Sequence, residues 1–334
     1  MNRLCSATAT AHPNIALVKY WGKRDEDLIL PLADSISMTL DVFPTTTTVS
    51  LLPGQGGDQV VIDSAAATGR TLSRVTDFLD LVRRLTGSTG RARVETVNTV
   101  PVGAGLASSA AGFAALALAA STAFGAGLDA RDLSRLARRG SGSACRSVHG
   151  GFVQWHAGRP DDPDPDRSSY ARPVEDARLE LAMVAVLLET GPKTVSSRTA
   201  MARTTRTSPL FPGWIAATRA DVHAMRAALR TADLARAGAI AERSALGMHA
   251  TMESADPPVV YRTSASHQVL AHVRALRARG EQVWATMDAG PNVKVLCAPQ
   301  EAARLAEELA ALAHCPTVVA RPGPGARLTS LRAR

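Results

Sequence analysis

The stretch Pro101-Val102-Gly103-Ala104-Gly105-Leu106-Ala107-Ser108-Ser109-Ala110-Ala111-Gly112 decides how the rest of the chain is read. Two glycines follow a proline and two adjacent hydroxyls follow the glycines. Gly112 to Phe124 then runs apolar with almost no bulk. The pattern predicts a glycine-rich loop opening a buried helix. Such a loop presents backbone N–H groups, and the helix start adds a positive partial charge, a combination suited to phosphate. Ser108 and Ser109 stand where a hydroxyl would touch a phosphate oxygen or a magnesium ion. A tight turn before a small-residue packing helix has the same composition, and the stretch alone does not choose between the two.

On its N-terminal side, Arg91 to Val100 predicts a strand leading into the loop. Before that, Leu72, Val75, Phe78, Leu79, Val82 and Leu85 recur at helical spacing, and Gly87 and Gly90 end the run. Further upstream, His12 to Arg24 carries two lysines, an arginine and two aromatics in thirteen residues. A strand through it would send Lys19 and Lys23 to one face, because their separation is even. That makes either an anion clamp or a strand followed by an exposed basic loop. Ser35 to Leu40 and Thr45 to Leu52 also read as strands.

On the C-terminal side, a helix after Asp129 turns Leu133 and Leu136 inward and stops at Gly140. Ser141-Gly142-Ser143-Ala144-Cys145-Arg146-Ser147 follows. Three serines and an arginine around a glycine make a second anion site, with Arg146 able to hold a carboxylate or phosphate in two-point contact. A helix end with serine caps has the same residues. Gly158 to Pro173 holds four aspartates and four prolines and predicts an exposed loop.

The second half orders itself as an apolar strand at Leu179 to Leu188, helices over 194–253 and at Gln268 to Arg279, and strands at Gln282 to Met287 and Val293 to Leu296. A helix at Glu301 to Ala313 and a strand at Thr317 to Ala320 complete it. That is a ferredoxin-like arrangement with extra helices, in an α+β chain. The expected division is 1–178 and 179–334. Asp288 lies in the turn Asp288-Ala289-Gly290-Pro291-Asn292, at a cleft edge or as a turn former. Val195-Ser196-Ser197-Arg198 follows Lys193 and opens a helix.

Composition narrows the function classes. The 334 residues suit two domains. Net charge is +8, yet of 38 basic side chains only Lys19, Lys23, Lys193 and Lys294 are lysine, and all four fall in the stretches above. A compact ammonium kept against such an arginine bias points to a site. The arginines are dispersed and aromatics make up 4%, so no basic stripe with stacking residues marks a nucleic-acid partner. No apolar run is long enough to span a membrane, and the first residues form no secretory segment. Four cysteines without metal-ligand spacing read as free thiols in a reducing cytoplasm. Gly103-x-Gly105-x-x-Ser108 lacks the third glycine of a dinucleotide fingerprint.

Together, Asn14 to Arg24, Gly105 to Gly112, Ser141 to Ser147 with Gly150 to Phe152, Lys193 to Arg198, Thr207 to Pro209 and Met287 to Asn292 resemble the GHMP kinase superfamily, and within it the diphosphomevalonate decarboxylase family. The motifs stand in the family's order from residue 5 to about residue 300. The chain departs at Val102-Gly103, where the family has Thr-Ala, and the loop stays glycine-rich.

The resemblance implies a GHMP kinase fold, with a ribosomal S5-like domain before a ferredoxin-like domain and the site between them. It implies ATP with Mg2+, and 5-diphosphomevalonate phosphorylated at C3 and decarboxylated to isopentenyl diphosphate. It assigns Asp288, Lys19 and Arg146 to catalysis, and Tyr20, Lys23, Ser141, Gly142, Ser143, Arg146 and Arg198 to the substrate. It assigns Gly103, Gly105, Leu106, Ala107, Ser108, Ser109 and Ser197 to ATP, with Ser108 on the metal. It also implies a homodimer. The rival readings are the same fold acting on a mevalonate monophosphate, a small-molecule kinase that does not decarboxylate, and an RNA-binding module of the S5-like kind.

Overall fold

The computed structural model describes residues 4–54, 56–99, 108–189 and 195–333. In chain order the first part contains β1 (Leu4–Ala11), β2 (Asn14–Val18), β3 (Lys23–Asp25), β4 (Leu30–Pro31), β5 (Ser35–Thr39), β6 (Thr45–Leu52), β7 (Gln59–Ile62), β8 (Ala65–Ala66) and α1 (Gly69–Thr86). There follow β9 (Arg91–Asn98), α2 (Ser108–Ala123), α3 (Ala130–Gly140), α4 (Ala144–Ser147), β10 (Phe152–Trp155), α5 (Pro165–Ser168) and β11 (Ala171–Pro173). The second part contains β12 (Ala182–Val186), α6 (Ser197–Thr207), α7 (Phe211–Arg230), α8 (Leu234–Glu253), α9 (Ser264–Ala278), β13 (Trp284–Met287), β14 (Val293–Cys297), α10 (Ala302–Ala313), β15 (Thr317–Ala320) and β16 (Arg327–Ala333).

Six strands form the first sheet in the order β16-β1-β6-β9-β7-β8, antiparallel except where β7 runs parallel to β9. Alternation along β1 and β6 sorts its faces. Ala7, Ala9, Ala11 and Val49 point inward, while Ser6–Ser50, Thr8–Thr48 and Thr10–Thr46 pair their hydroxyls on the other face. The small inward residues let α2 lie close against the sheet. That helix is apolar on all sides because it is covered on all sides, by the sheet and by α1 and α3. Gly140 ends α3 where a Cβ would stand 2.0 Å from the Phe113 ring of α2. Asp129 caps α3 by accepting the Asp132 N–H at 2.8 Å.

A second sheet, β11-β10-β5-β2, lies between that layer and the second part of the chain. The third sheet is antiparallel in the order β13-β14-β12-β15, with α9 and α10 against it. This is the strand order of a ferredoxin-like unit, as predicted. Ile15, Leu17, Ile36 and Met38 of the second sheet share one core with Met183 and Ala185 of β12 and with Met225 and Ile240 of α7 and α8.

Three expectations need correction. Residues 327–333, assigned to the second domain, form β16 and pair with β1 in the first sheet. The acidic segment is exposed at 159–161 and 163–164, yet Asp166 is paired with both Arg135 and Arg138, and β11 pairs with β10. Arg138 is fully buried, so this carboxylate answers a charge that has no access to water. Lys19 and Lys23 do not share a strand, because β2 stops at Val18 and the chain turns through Gly22 at φ +98 before β3. A Cβ on Gly22 would also stand 2.6 Å from Phe211.

Candidate active site

Lys19 follows the last residue of β2 and is almost entirely buried. Its backbone N–H donates to Ser244 Oγ of α8 at 3.0 Å. Its Nζ donates to the Ala16 carbonyl at 2.7 Å and to Asp288 Oδ1 at 2.8 Å. Asp288 comes from the turn between β13 and β14, 269 positions away in sequence. Burial holds the Lys19 ammonium down at about 8, opposed by the Asp288 charge and hydrogen bond and reinforced by Lys294 and Arg146. Lys294, on β14 and equally buried, puts Nζ 3.5 Å from Asp288 Oδ2. One carboxylate with 29% of its side chain exposed is therefore flanked by two buried ammoniums.

Hydrogen bonds between side chains and backbone hold the turn that carries Asp288. His249 Nε2 meets the Asp288 carbonyl at 3.1 Å, Ser266 Oγ donates to the Pro291 carbonyl at 2.7 Å, and Asn292 exchanges two hydrogen bonds with the Glu189 backbone.

Arg146 sits on α4, nearly inaccessible. Its Nε donates to Asn14 Oδ1 at 3.0 Å and its Nη1 to Ser35 Oγ at 2.7 Å, with the guanidinium 5.9 Å from the Trp155 ring centroid. Asn14 in turn donates to the Ser143 carbonyl and to Ser147 Oγ. The helix is one turn long, and this network from β2 and β5 fixes where its arginine points. Burial lowers the guanidinium's proton affinity, and Asp288 is among the groups that oppose the shift. Arg146 thus lies within electrostatic reach of the Lys19–Asp288 pair.

Tyr20 packs against Trp155 at 4.6 Å between centroids, the rings tilted by 59°, and onto Gly142. A Cβ at Gly142 would stand 2.9 Å from its ring and hydroxyl, so glycine is what lets the serine motif approach. Burial pushes the phenol up, and Arg198 acts on it from α6 in the opposite sense. Arg198 is exposed and makes no ion pair among the described residues. It also acts on Arg74 of α1, whose guanidinium donates to the Gly140 carbonyl at 3.2 Å. Lys23 is mostly covered and bonds the exposed Glu26 carboxylate.

Ser108 and Ser109 open α2 and are exposed. Ser109 Oγ lies 3.4 Å from Ser141 Oγ, which brings the helix start and the serine motif together. Ser197 is the first residue of α6, after Ser196 has capped it by accepting the Thr199 N–H. Gly103, Gly105, Leu106, Ala107 and Lys193 lie outside the described residues. Among the described residues no three acidic, histidine or cysteine side chains converge on a metal position. A hydroxyl at a helix start fits magnesium that arrives on nucleotide phosphates and keeps most ligands from phosphate and water.

The sequence reading did not place Lys294, Asn14, Ser35, Ser244 or His249 at the site. Lysine scarcity singled out Lys294 without giving it a neighbour. Asn14 stands out in the sequence only as part of a longer motif. Ser244 and His249 are polar residues buried on a helix, and that is the only local sign they carry.

Two family models cover most of the chain. Residues 11–171 match the diphosphomevalonate decarboxylase-like N-terminal domain, and residues 182–322 match the mevalonate 5-diphosphate decarboxylase C-terminal domain. The diphosphomevalonate decarboxylase of Candida albicans is 35% identical over 308 residues, covering 87% of this chain and 83% of that one. A solved complex of MDDEF with MVAPP, AMPPCP and magnesium superposes with a TM-score of 0.90 at 44% identity, over 98% of this chain and 99% of that one. The mevalonate diphosphate decarboxylase from Enterococcus faecalis, in a structure of its ATP binding mediated by mevalonate diphosphate, gives 0.89 at 43%, with the same coverage.

Proposed function

The chain belongs to the diphosphomevalonate decarboxylase family, and on that premise we propose how its cleft carries out the family's reaction. The fold is of the GHMP kinase type, and the enzyme is an ATP-dependent decarboxylase of 5-diphosphomevalonate. The observation that carries the mechanism is the Asp288 carboxylate held between the buried ammoniums of Lys19 and Lys294.

The C3 hydroxyl of the substrate is tertiary and crowded, so its orientation matters as much as its basicity. Asp288 accepts its proton as the oxygen attacks the γ-phosphorus of ATP, and ADP leaves with the electron pair of the broken P–O bond. Lys19 stabilises the charge that builds beside it. The new C3 phosphate then departs with its C–O electron pair. The C1–C2 bond electrons form the C2=C3 double bond, and carbon dioxide is released. Arg146 holds the carboxylate in line until that bond breaks. Tyr20, Lys23, Ser141, Gly142, Ser143 and Arg198 hold the diphosphate tail. Ser108, Ser109 and Ser197, with Gly103, Gly105, Leu106 and Ala107 of the glycine-rich stretch, hold the ATP phosphates. Ser108 would hold Mg2+ arriving with the nucleotide, and the ion would supply charge neutralisation at the transferred group.

The sites draw on residues 14–147 from one half and 197–294 from the other. We place the division near 178, with 327–333 returning to the first half. The same reading takes the enzyme as a cytoplasmic homodimer. The thiols of Cys145, Cys297 and Cys315 are free, as suits a reducing compartment, and no described helix is long and apolar enough to cross a membrane.

The pH profile of kcat/KM has an alkaline limb near pH 8, where the free enzyme's Lys19 loses its proton; a profile flat through that region contradicts a role for the ammonium. Lys23→Ala raises the KM for the diphosphate about tenfold or more and changes kcat less, because a tail contact is shared by ground and transition states. A pure kcat loss contradicts a tail clamp.

The direct test of substrate class is ATP turnover on 5-diphosphomevalonate, 5-phosphomevalonate and mevalonate in parallel. Turnover confined to the diphosphate is the expected result. Equal turnover of the monophosphate overturns the tail assignment.

A further inference from the structure

The ion pair at the centre of the site joins two residues that no local element holds together. Lys19 leaves β2 in one half of the chain, and Asp288 leaves β13 in the other. A single helix touches the backbone of both. On α8, Ser244 Oγ accepts the Lys19 N–H at 3.0 Å, and His249 Nε2 lies 3.1 Å from the Asp288 carbonyl. Ser244 is itself anchored, since its carbonyl accepts the Trp214 indole N–H at 3.2 Å.

His249 has no exposed surface. Its partner is a carbonyl, which only accepts, so Nε2 carries the proton. Burial lowers the imidazole to about 4; the Asp288 carbonyl and Glu253 oppose that shift, while Arg262 and Lys19 add to it. The ring is therefore neutral at working pH. Its Nδ1 is buried and accepts no hydrogen bond from the described residues. A buried acceptor left unsatisfied is unfavourable, so packing alone gives no reason for an imidazole here. The N–H on the Asp288 carbonyl does.

We propose that His249 and Ser244 are positioning residues of the reaction, which use the rigidity of α8 to set the distance between the Lys19 ammonium and the Asp288 carboxylate. The assignment rests on the reading of Asp288 as the base. Neither residue touches substrate. Each fixes the backbone from which a reacting side chain extends, and a displacement of about 1 Å at such a centre costs rate far more than binding.

The test compares His249→Phe, His249→Gln and Ser244→Ala in the full chain with ATP, magnesium and 5-diphosphomevalonate. Phenylalanine keeps the ring and removes the donor, whereas glutamine keeps an N–H near the same point. The expected result for His249→Phe is a kcat lowered about 10- to 100-fold with little change in KM. The alkaline limb of kcat/KM moves to lower pH. Asp288 raises the Lys19 proton affinity, while burial, Lys294 and Arg146 lower it, so a displaced carboxylate leaves the lowering groups unopposed. His249→Gln restores most of the rate and returns the limb. A purely structural histidine would change yield and thermal stability and leave the limb in place.

A folded His249→Phe enzyme with the wild-type kcat and limb overturns the proposal, as does a His249→Gln enzyme no better than His249→Phe. If His249→Phe does not fold, Ser244→Ala decides: an acid shift of the limb supports the proposal and an unmoved limb overturns it. Asp288→Asn in the same assays separates the two levels. Retained turnover there removes the base assignment itself, whereas lost turnover beside an unaffected His249→Phe removes only the positioning role.

Discussion

Asp288→Asn lowers kcat about 10^3- to 10^4-fold, close to the full contribution of a general base, while the chain still folds and still binds 5-diphosphomevalonate. The amide keeps the shape of the carboxylate and loses both its basicity and its charge. The turn survives because its hydrogen bonds from Ser266, Asn292 and His249 run to or from backbone atoms or other side chains. Lys19 and Lys294 lose their counter-charge. Removing one partner of a buried pair is ordinarily costly. Here the cost is limited because Lys19, already held near 8, sheds its proton once the carboxylate is gone. Single-turnover ADP formation measures the loss, with a circular dichroism spectrum and a substrate titration as controls. A variant within tenfold of wild type would move the base elsewhere.

Arg146→Lys is the second large effect. It lowers kcat/KM about 100-fold or more, although the charge is kept. The guanidinium uses Nε and Nη1 on Asn14 and Ser35, and these bonds orient the remaining donors. A lysine ammonium cannot bridge Asn14 and Ser35 and also face a substrate carboxylate in two-point contact. Asn14 Oδ1 then loses its donor, which loosens the amide that also bonds Ser143 and Ser147. Steady-state kinetics on both proteins read the effect, and wild-type constants would contradict a carboxylate contact.

Local pattern carried the element order. Periodicity places α1 and α3, the glycine-serine stretch places the start of α2, and the succession after residue 179 predicts the ferredoxin-like sheet. These are short-range properties of spacing, capping and composition. β16 had no such context. It pairs with β1 from the other end of the chain, and alternation over Arg327 to Ala333 does not say which edge it joins. The partners of the acidic segment are not legible in composition, which reports charge alone: Asp166 finds Arg135 and Arg138 on a helix that precedes it by about thirty residues.

The site divided along the same line. Ser141 to Arg146 and Asp288 were visible because hydroxyls, glycine and charge cluster within a few positions. The geometry that turns Lys19 into a reactive group was not visible. Its partners Asp288, Lys294 and Ser244 lie more than two hundred residues away, and burial of its ammonium depends on α8 closing over β2. Even the single strand expected to carry both Lys19 and Lys23 is interrupted by one local detail, the turn at Gly22.

The measurement that tests the account most directly follows ADP and carbon dioxide together, in one reaction of the wild-type enzyme with ATP, magnesium and 5-diphosphomevalonate. The mechanism predicts one carbon dioxide for each ADP from the first turnover onward. ADP without carbon dioxide would contradict it, and would leave a cleft that transfers phosphate to C3 and stops there.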